Sequence, residues 1–323
     1  MAEAQPDPVE YFLNHPHFLQ SDAWGEFQTR RGNEVIRRSG DGWEYLAVVE
    51  RARFSKRLYA PFGPTYDDLA GLTAAVDDLR TTAKQLGLDF VRIEPRHGVT
   101  PEDLTRLGLR PSHHSVQPAD TIVNLVDASQ LSDEQVIAPA NSTHRRRYRK
   151  ALREGIEYEA TQDPAAVEHF IEMIHDVSDR TGMNPHTDAY YRQMAEVLFP
   201  LGAGGIMLAR IDGAPVSSIL YFSDGHVLSY AHAANFSKYR NISPATGLYL
   251  YAMLYARETG HVVFDSYGVA PADAPEDHAW AGLTTFKVRG GGERVSTIGT
   301  WELPVKKLKY RLYHQLNTIL DKS

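Results

Sequence analysis

A chain of 323 residues without cysteine excludes disulfides, thiolate nucleophiles and cysteine-based zinc or iron–sulfur sites, and at about 150 residues per domain it has room for two cores. With 42% hydrophobic and 23% charged residues it is globular in composition, neither disordered nor fibrous, and its net charge of −7 argues against indiscriminate nucleic-acid binding while allowing a local basic patch. No run of about 18 apolar residues occurs, and residues 1–8 lack the basic start and apolar middle of a secretion signal, so a cytosolic protein without a transmembrane segment is expected.

Helices are predicted over 7–14 and from Ser21, whose hydroxyl can cap a helix while Asp22 complements its positive end, with Gly32 closing it. Strand patterns at 33–38 and 43–53 flank Ser39-Gly40-Asp41-Gly42, a tight-hairpin signal, and a third strand covers 57–60. Beyond Pro61-Phe62-Gly63-Pro64, the apolar residues Leu69, Leu72, Val76, Leu79 and Ala83 repeat at helical spacing over 67–86. A strand at 88–93 ending in Glu94-Pro95, a helix at 100–107 and a strand at 121–126 complete a first unit.

A second unit starts near Asp127, with helices at 132–138 and 143–154, the latter ended by Gly155. A strand at 156–161 follows, then helices at 164–181 and 187–199 separated by Gly182-Met183-Asn184-Pro185-His186. Strands at 205–210, 215–222 and 226–233 are linked by the hairpin signals Asp212-Gly213 and Asp224-Gly225. A helix at 244–259 and a buried strand at 262–266 come next. Both units run helices, a meander of strands, a helix and a strand, which reads as a duplicated architecture. A last helix at 304–321 places Leu308, Leu312, Leu316 and Leu320 on one face, which is expected to pack against a partner that spacing does not name.

Gly282-Leu283-Thr284-Thr285-Phe286-Lys287-Val288-Arg289-Gly290-Gly291-Gly292 sets two cations before three glycines. This is either a close approach of ligand to main chain or a bulged turn. In His144-Arg145-Arg146-Arg147-Tyr148-Arg149-Lys150, cations cover more than one helix face, which suits either contact with phosphate or RNA backbone or a solvated surface helix. Among the 17 tyrosines, Tyr190, Tyr191, Tyr230, Tyr249, Tyr251 and Tyr267 fall at element ends, where packing or hydrogen bonding to a peptide or sugar is open to them. His15 with His17, and His113 with His114, lack the spacing of a metal site, so none is expected. The absence of a serine nucleophile elbow, a Gly-Lys-Ser/Thr phosphate loop and a dinucleotide fingerprint removes the standard hydrolase, nucleotide triphosphatase and dehydrogenase readings.

Several segments together resemble the Fem family of nonribosomal peptidyltransferases, which add amino acids from aminoacyl-tRNA to the stem peptide of cell-wall precursors. The carriers, spread over nearly the whole chain, are Phe18-Leu19-Gln20-Ser21-Asp22-Ala23-Trp24-Gly25-Glu26-Phe27, Pro61-Phe62-Gly63-Pro64, the basic run into Lys150-Ala151-Leu152-Arg153-Glu154-Gly155, and Phe264-Asp265-Ser266-Tyr267-Gly268-Val269 followed by Gly282 to Lys287. The resemblance implies an α+β fold of tandem acetyltransferase-like (GNAT-like) domains, 1–127 plus 303–323 and 128–302, with the last helix returning to the first domain. No heptad pattern marks the family's coiled-coil arm, so the compact form is expected.

The activity so implied is cofactor-free aminoacyl transfer in interpeptide bridge formation. Its partners are aminoacyl-tRNA and a UDP-linked or lipid-linked muramyl pentapeptide, the second bringing peripheral membrane contact. Lys287 matches the family's motif lysine and is assigned to the oxyanion of the tetrahedral intermediate, where a cation stabilises developing charge. Arg289 is its neighbour toward the substrate. The resemblance assigns precursor contacts to Tyr190, Tyr230 and Glu94, and tRNA contacts to Arg145, Arg146, Arg147, Arg149 and Lys150. Two positions depart from an armless member: Gln28 stands in place of lysine and His186 in place of arginine, weakening charge contacts to diphosphate or carboxylate. Two other readings remain. One is an acyltransferase of the same fold using an acyl-coenzyme A thioester, disfavoured by the lack of a Gly-rich pyrophosphate loop before a helix; the other is a noncatalytic RNA-binding protein using the 145–153 helix.

Overall fold

The computed structural model describes residues 5–52, 55–113 and 115–320, without the side chains of Arg240 and 316–320; Arg53, His114 and Asp321 lie outside the described residues. In chain order the elements begin with α1 (Pro8–Asn14), α2 (Asp22–Arg30), β1 (Glu34–Gly40), β2 (Trp43–Arg51), β3 (Lys56–Ala60), β4 (Thr65–Tyr66), α3 (Leu69–Gln85), β5 (Phe90–Ile93), α4 (Pro101–Arg106) and β6 (Arg110–Pro111). They continue with β7 (Asp120–Leu125), α5 (Asp133–Ile137), α6 (Ser142–Arg153), β8 (Glu157–Thr161), α7 (Val167–Thr181), α8 (Asp188–Leu198), β9 (Gly204–Ile211), β10 (Ala214–Ser223), β11 (Val227–Asn235) and α9 (Pro244–Glu258). The last are β12 (Val263–Asp265), α10 (Ala281–Val288), β13 (Glu293–Ser296), β14 (Trp301–Pro304) and α11 (Lys307–Leu320).

These elements make two compact units, each around its own sheet. The first unit comprises 13–119 with 296–323, and the second 1–12 with 120–295. The first sheet runs β1-β2-β3-β5-β14-β6, with β4 on β2, and the second runs β13-β7-β12-β11-β10-β9-β8. Two antiparallel steps in the first sheet and three in the second lead to one parallel pair, β3 with β5 and β11 with β12, and the strand after that pair is antiparallel. That last strand is supplied from the other half of the chain. β7 precedes the second unit's meander and joins β12, whereas β14 follows the second unit and returns to β5. This exchange moves the sequence boundaries of 127/128 and 302/303 to 119/120 and 295/296, and gives residues 1–12 to the second unit.

Local chemistry explains most elements. Asp212 and Gly213 both have positive φ (50° and 77°) between paired Ile211 and Ala214, the two-residue turn that matches strand twist. Asp68 caps α3 by accepting from Gly71 N at 2.8 Å, and the helix buries Leu72, Val76, Leu79 and Ala83 against Tyr45, Leu58 and Val91. Leu69, on the same predicted stripe, is instead 42% exposed because it is the first helical residue, where the stripe has not yet reached the sheet. In the second unit, α9 buries Leu248, Tyr249 and Met253 against Ile219, Leu228 and Phe264.

The last helix does return to the first unit, but not by Leu308 and Leu312; the side chains of Leu316 and Leu320, on the same expected face, lie outside the described residues. Leu308 and Leu312 are 77% and 59% exposed. The packed face is Tyr310, Tyr313 and His314: the first two rings lie 5.5 and 5.1 Å from Phe90. Tyr310 also donates to buried Glu302 at 3.0 Å. Glu302 is fully buried, pairs with Arg92 and meets His314 Nε2 at 3.1 Å, so a polar anchor replaces the expected apolar stripe.

Candidate active site

The second sheet opens where β11 and β12 part. Their parallel ladder pairs Val227 with Val263, Leu228 with Phe264 and Ser229 with Asp265, and goes no further. Beyond Asp265 the chain follows β7, through Ser266 N to Ile122 O and Val269 N to Asp120 O, both at 2.9 Å. Residues 230–235 of β11 thus extend past the last pair, and a bulge there, with Leu220 paired to His232 and Phe222 to Ser229, leaves Tyr230 on the face packed by α9 and His232 on the opposite face with Phe170 and Tyr191.

Helix α10 delivers Lys287 to this opening. The residues before the triple glycine form a helix, and Lys287 is its one buried residue, 4% exposed. Two features hold it there. Thr284 Oγ1 accepts from Ala270 N at 2.8 Å. Behind the helix, Gly290 sits so close to Tyr249 that a Cβ would meet that ring at 2.3 Å. The triple glycine is therefore a packing requirement at the exit of α10: Gly291 and Gly292 both have positive φ, against Pro139 and Val123.

Lys287 Nζ donates to Tyr267 O at 3.2 Å and Gly268 O at 2.8 Å, and lies 5.4 Å from the centre of the Tyr230 ring. Tyr267 has φ of 59°, unusual for a residue with a side chain. An ammonium has three N–H donors, so one remains without an acceptor among the described residues. Burial pulls the lysine pKa down to about 8, opposed by the charge of Asp265. Asp265 is 1% exposed and accepts from Thr121 Oγ1 (2.6 Å), Ser229 Oγ (3.0 Å) and Tyr267 N (2.9 Å). Its own pKa is raised by burial, with those donors opposing. The result is a cation at neutral pH, held in a poorly solvated place with one donor to spend.

Other expected residues lie on neighbouring elements of the same unit. His186 stacks on Tyr190 with ring centres 4.0 Å apart and lies 6.0 Å from His232. Arg289, exposed at the end of α10, gives its carbonyl to Asn141 N at 2.9 Å. Asn141 caps α6 by accepting from His144 N at 2.8 Å, and the buried His144 ring is 5.4 Å from Phe286, so α6 is tied to the helix that carries Lys287. On α6, Arg146, Arg147 and Arg149 are exposed with no ion-pair partner among the described residues. Arg145 donates to Ala138 O at 2.7 Å and Lys150 is 3.5 Å from Glu154.

Gln28 and Glu94 belong to the first unit. Gln28 is buried, its Oε1 taken by Asn33 Nδ2 at 2.7 Å. Glu94 is 3% exposed and accepts from Tyr59 OH, Phe62 N, Gln117 N and Thr300 Oγ1 at 2.7–3.1 Å. Four donors fill the acceptor capacity of a carboxylate. Glu94 therefore braces loops of its own unit. Sequence reasoning passed over His232 and Asp265. The first lies just past a bulge in β11 that alternation with Tyr230 would misplace; the second is quoted in the family motif, but its burial depends on tertiary packing.

The architecture is that of tandem acetyltransferase-like units, and residues 140–280 match the acetyltransferase (GNAT) domain. In fold the chain is FemABX-like: FemX superposes with a TM-score of 0.83 at 18% identity over 97% of this chain and 98% of its own. More distantly it resembles L-PGS from Bacillus licheniformis, with TM-score 0.57, 15% identity and 94% of each chain covered. The tandem GNAT protein of the clavulanic acid biosynthesis pathway gives 0.50, 11% and 92% of each chain. No curated protein sequence matches. Among the described residues no helix is long and apolar enough to cross a membrane.

Proposed function

We propose that the protein transfers an amino acid from aminoacyl-tRNA to the stem peptide of a peptidoglycan precursor, forming interpeptide bridges in the cytosol without a cofactor. The observation that carries this reading is the buried Lys287 ammonium with one uncommitted N–H in the opening between β11 and β12. Attack of an amine on an ester carbonyl places a negative charge on the former carbonyl oxygen. A fixed cation in a desolvated site stabilises that charge far more than it would in water. Lys287 is the oxyanion donor. His186, Tyr190, Tyr230 and Arg289 contact the precursor or the aminoacyl group, while Gln28 and Glu94 support the first unit. Arg145, Arg146, Arg147, Arg149 and Lys150 hold the tRNA backbone, which suits an exposed basic helix in an otherwise acidic protein.

The test is a reconstituted reaction with a mixture of charged tRNAs and either UDP-linked or lipid-linked muramyl pentapeptide, the latter in vesicles, with products read by mass. Transfer that disappears in Lys287→Ala supports the reading. An inert wild-type protein with both acceptors, or a Lys287→Ala variant as active as wild type, overturns it.

A second reading keeps the fold and changes the donor. The acetyltransferase (GNAT) match over 140–280 favours an acyl thioester in place of the aminoacyl ester. The same assay with acyl-coenzyme A in place of tRNA separates the two. A noncatalytic RNA-binding protein would bind tRNA and transfer nothing with either donor.

A further inference from the structure

Helix α11 is fastened to the first unit by one face and turns another to solvent. Tyr310 and Tyr313 pack on Phe90, and Tyr310, His314 and Arg92 close on the buried Glu302 carboxylate. Leu308 and Leu312 stand one turn apart. Residues two positions apart in a helix point nearly opposite ways, so this pair lies across the helix axis from Tyr310. At 77% and 59% they are the most exposed large apolar side chains among the described residues.

Cations flank the two leucines. Lys306, Lys307, Lys309 and Arg311 follow one another closely, and no acidic residue occurs from 305 to 320 in a chain whose net charge is −7. Lys306 and Lys309 approach the Asp89 carboxylate at 3.5 and 3.8 Å. Lys307 and Arg311 are exposed and have no ion-pair partner among the described residues. Asp89 and Glu302, the acids that meet this segment, are both buried, so the exposed residues of α11 include no carboxylate. An apolar pair rimmed by uncompensated positive charge fits a partner that is anionic at its surface and apolar just beneath it.

We propose that the exposed face of α11 docks on an anionic phospholipid surface. Leu308 and Leu312 enter the boundary between headgroups and acyl chains, while Lys307, Lys309 and Arg311 meet the lipid phosphates. Amphipathic helices with this division lie in the plane of the membrane, their long cationic side chains reaching back to the headgroups. With 14 residues α11 is too short to span a bilayer, which takes about 20. Other occupants match only part of the surface. A second copy docked by the same face brings like charges together, and a nucleic-acid backbone pairs with the cations but leaves the leucines in water. The docking surface belongs to the first unit and stands independently of the transfer reading. Under that reading it favours the lipid-linked form of the precursor.

The experiment sediments the full chain with vesicles of phosphatidylcholine alone and of phosphatidylcholine mixed with phosphatidylglycerol, over a series of salt concentrations. The expected result is binding to the mixed vesicles that salt weakens, with little binding to the neutral ones. The double variant Leu308→Gln with Leu312→Gln should lower the partition coefficient by about tenfold or more. Lys307→Gln and Arg311→Gln should each lower it by about fivefold. All four side chains are exposed, so the variants should melt with wild type. A wild type that ignores the mixed vesicles overturns the proposal, as does equal binding to neutral vesicles or a leucine variant that partitions like wild type. A wild-type dimer in lipid-free solution that the leucine variant converts to a monomer gives this face to a second copy and overturns it too. So does a loss of tRNA affinity in the Lys307 and Arg311 variants while vesicle binding is kept. Neither tRNA nor precursor enters the vesicle measurement, so its failure and the failure of the transfer reading are separate results.

Discussion

The Gly268 carbonyl accepts from Lys287 Nζ at 2.8 Å, and residue 268 lies on the strand extension that leaves β11 at Asp265. The parting of two strands and the position of the cation are thus one structural event. Tyr267, forced to positive φ, turns two successive carbonyls toward the lysine, and those carbonyls fix the direction of its remaining donor. A cation on a flexible loop would have to be oriented during the reaction; here it is oriented beforehand.

Replacing Lys287 tests that orientation. Removing one preorganised oxyanion donor lowers kcat by about 10²- to 10³-fold, and Lys287→Ala should fall in this range. Lys287→Arg retains charge, yet its planar fork cannot reproduce one N–H on each of two neighbouring carbonyls with a third directed outward. We expect arginine to recover no more than a small fraction of wild-type kcat, measured under saturating charged tRNA. Arginine at full activity would mean that charge alone matters.

The pH dependence follows from the same group. Lys287 titrates near 8, so transfer should decline as pH rises through about 8, when the ammonium that serves the oxyanion loses its proton. Stability moves the other way. Folding lowers this pKa from 10.5, so the unfolded chain binds more protons between about 8 and 10.5, and stability from this group rises with pH across that window. Melting curves of wild type and Lys287→Met at pH 7.5 and 9.5 should therefore converge or cross, whereas the decline in activity appears only where Lys287 is present. A rate that keeps rising to pH 10 would contradict the assignment.

Most regular elements were legible because their signals are local. The Asp212-Gly213 turn, the Ser21 cap and the α3 stripe each depend on a few adjacent residues, and each appears within a residue or two of its expected place. What escaped depends on distant partners. β14 is four residues long and exists because β5 and β6 flank it, and α10 is a short helix whose packing rests on one lysine and a glycine. α11 shows a periodic stripe misleading: a leucine face won on pattern, and a Tyr-His face won on a buried carboxylate. Lys287 stands out in sequence by its motif, but its surroundings depend on Tyr267 and Gly268, twenty and nineteen residues away in the chain.

That buried carboxylate gives a stability prediction for the first unit. Glu302, fully buried, holds Arg92, Tyr310 and His314 together. Removing one member of a buried ion pair leaves the other charge uncompensated, at a cost of about 3–5 kcal/mol. Glu302→Ala should destabilise by that amount in denaturant titration and loosen α11, seen as faster amide exchange over 307–315. The double change Glu302→Leu with Arg92→Met should recover much of the loss, because an apolar pair leaves no orphaned charge.

Packing behind α10 predicts a second effect on stability. A Cβ on Gly290 would meet Tyr249 at 2.3 Å, and Tyr249 is fully buried with its hydroxyl 2.6 Å from Ser266 Oγ. The ring cannot retreat without breaking that bond. Overpacking of this kind costs about 1–3 kcal/mol, so Gly290→Ala should lower the melting temperature. It should also lower kcat, because displacement of the α10 exit shifts Lys287. An equally charged neighbour with no packing role provides the contrast: Arg289→Gln should leave the melting temperature unchanged.

The basic helix separates a binding surface from a solvated one. Arg146, Arg147 and Arg149 are exposed and have no ion-pair partner among the described residues. If they contact tRNA phosphates, replacing each by Gln weakens tRNA binding and reduces the slope of log affinity against log salt by nearly one unit per lost contact. Transfer at saturating tRNA should stay near wild type, since these side chains lie on α6 and not on the strands or helix that frame Lys287. The triple variant should also be no less stable than wild type, because like charges on adjacent turns repel. Filter binding from 50 to 300 mM salt measures the slope, and a triple variant with wild-type affinity and slope would leave α6 as solvated surface and require the tRNA backbone to be held elsewhere.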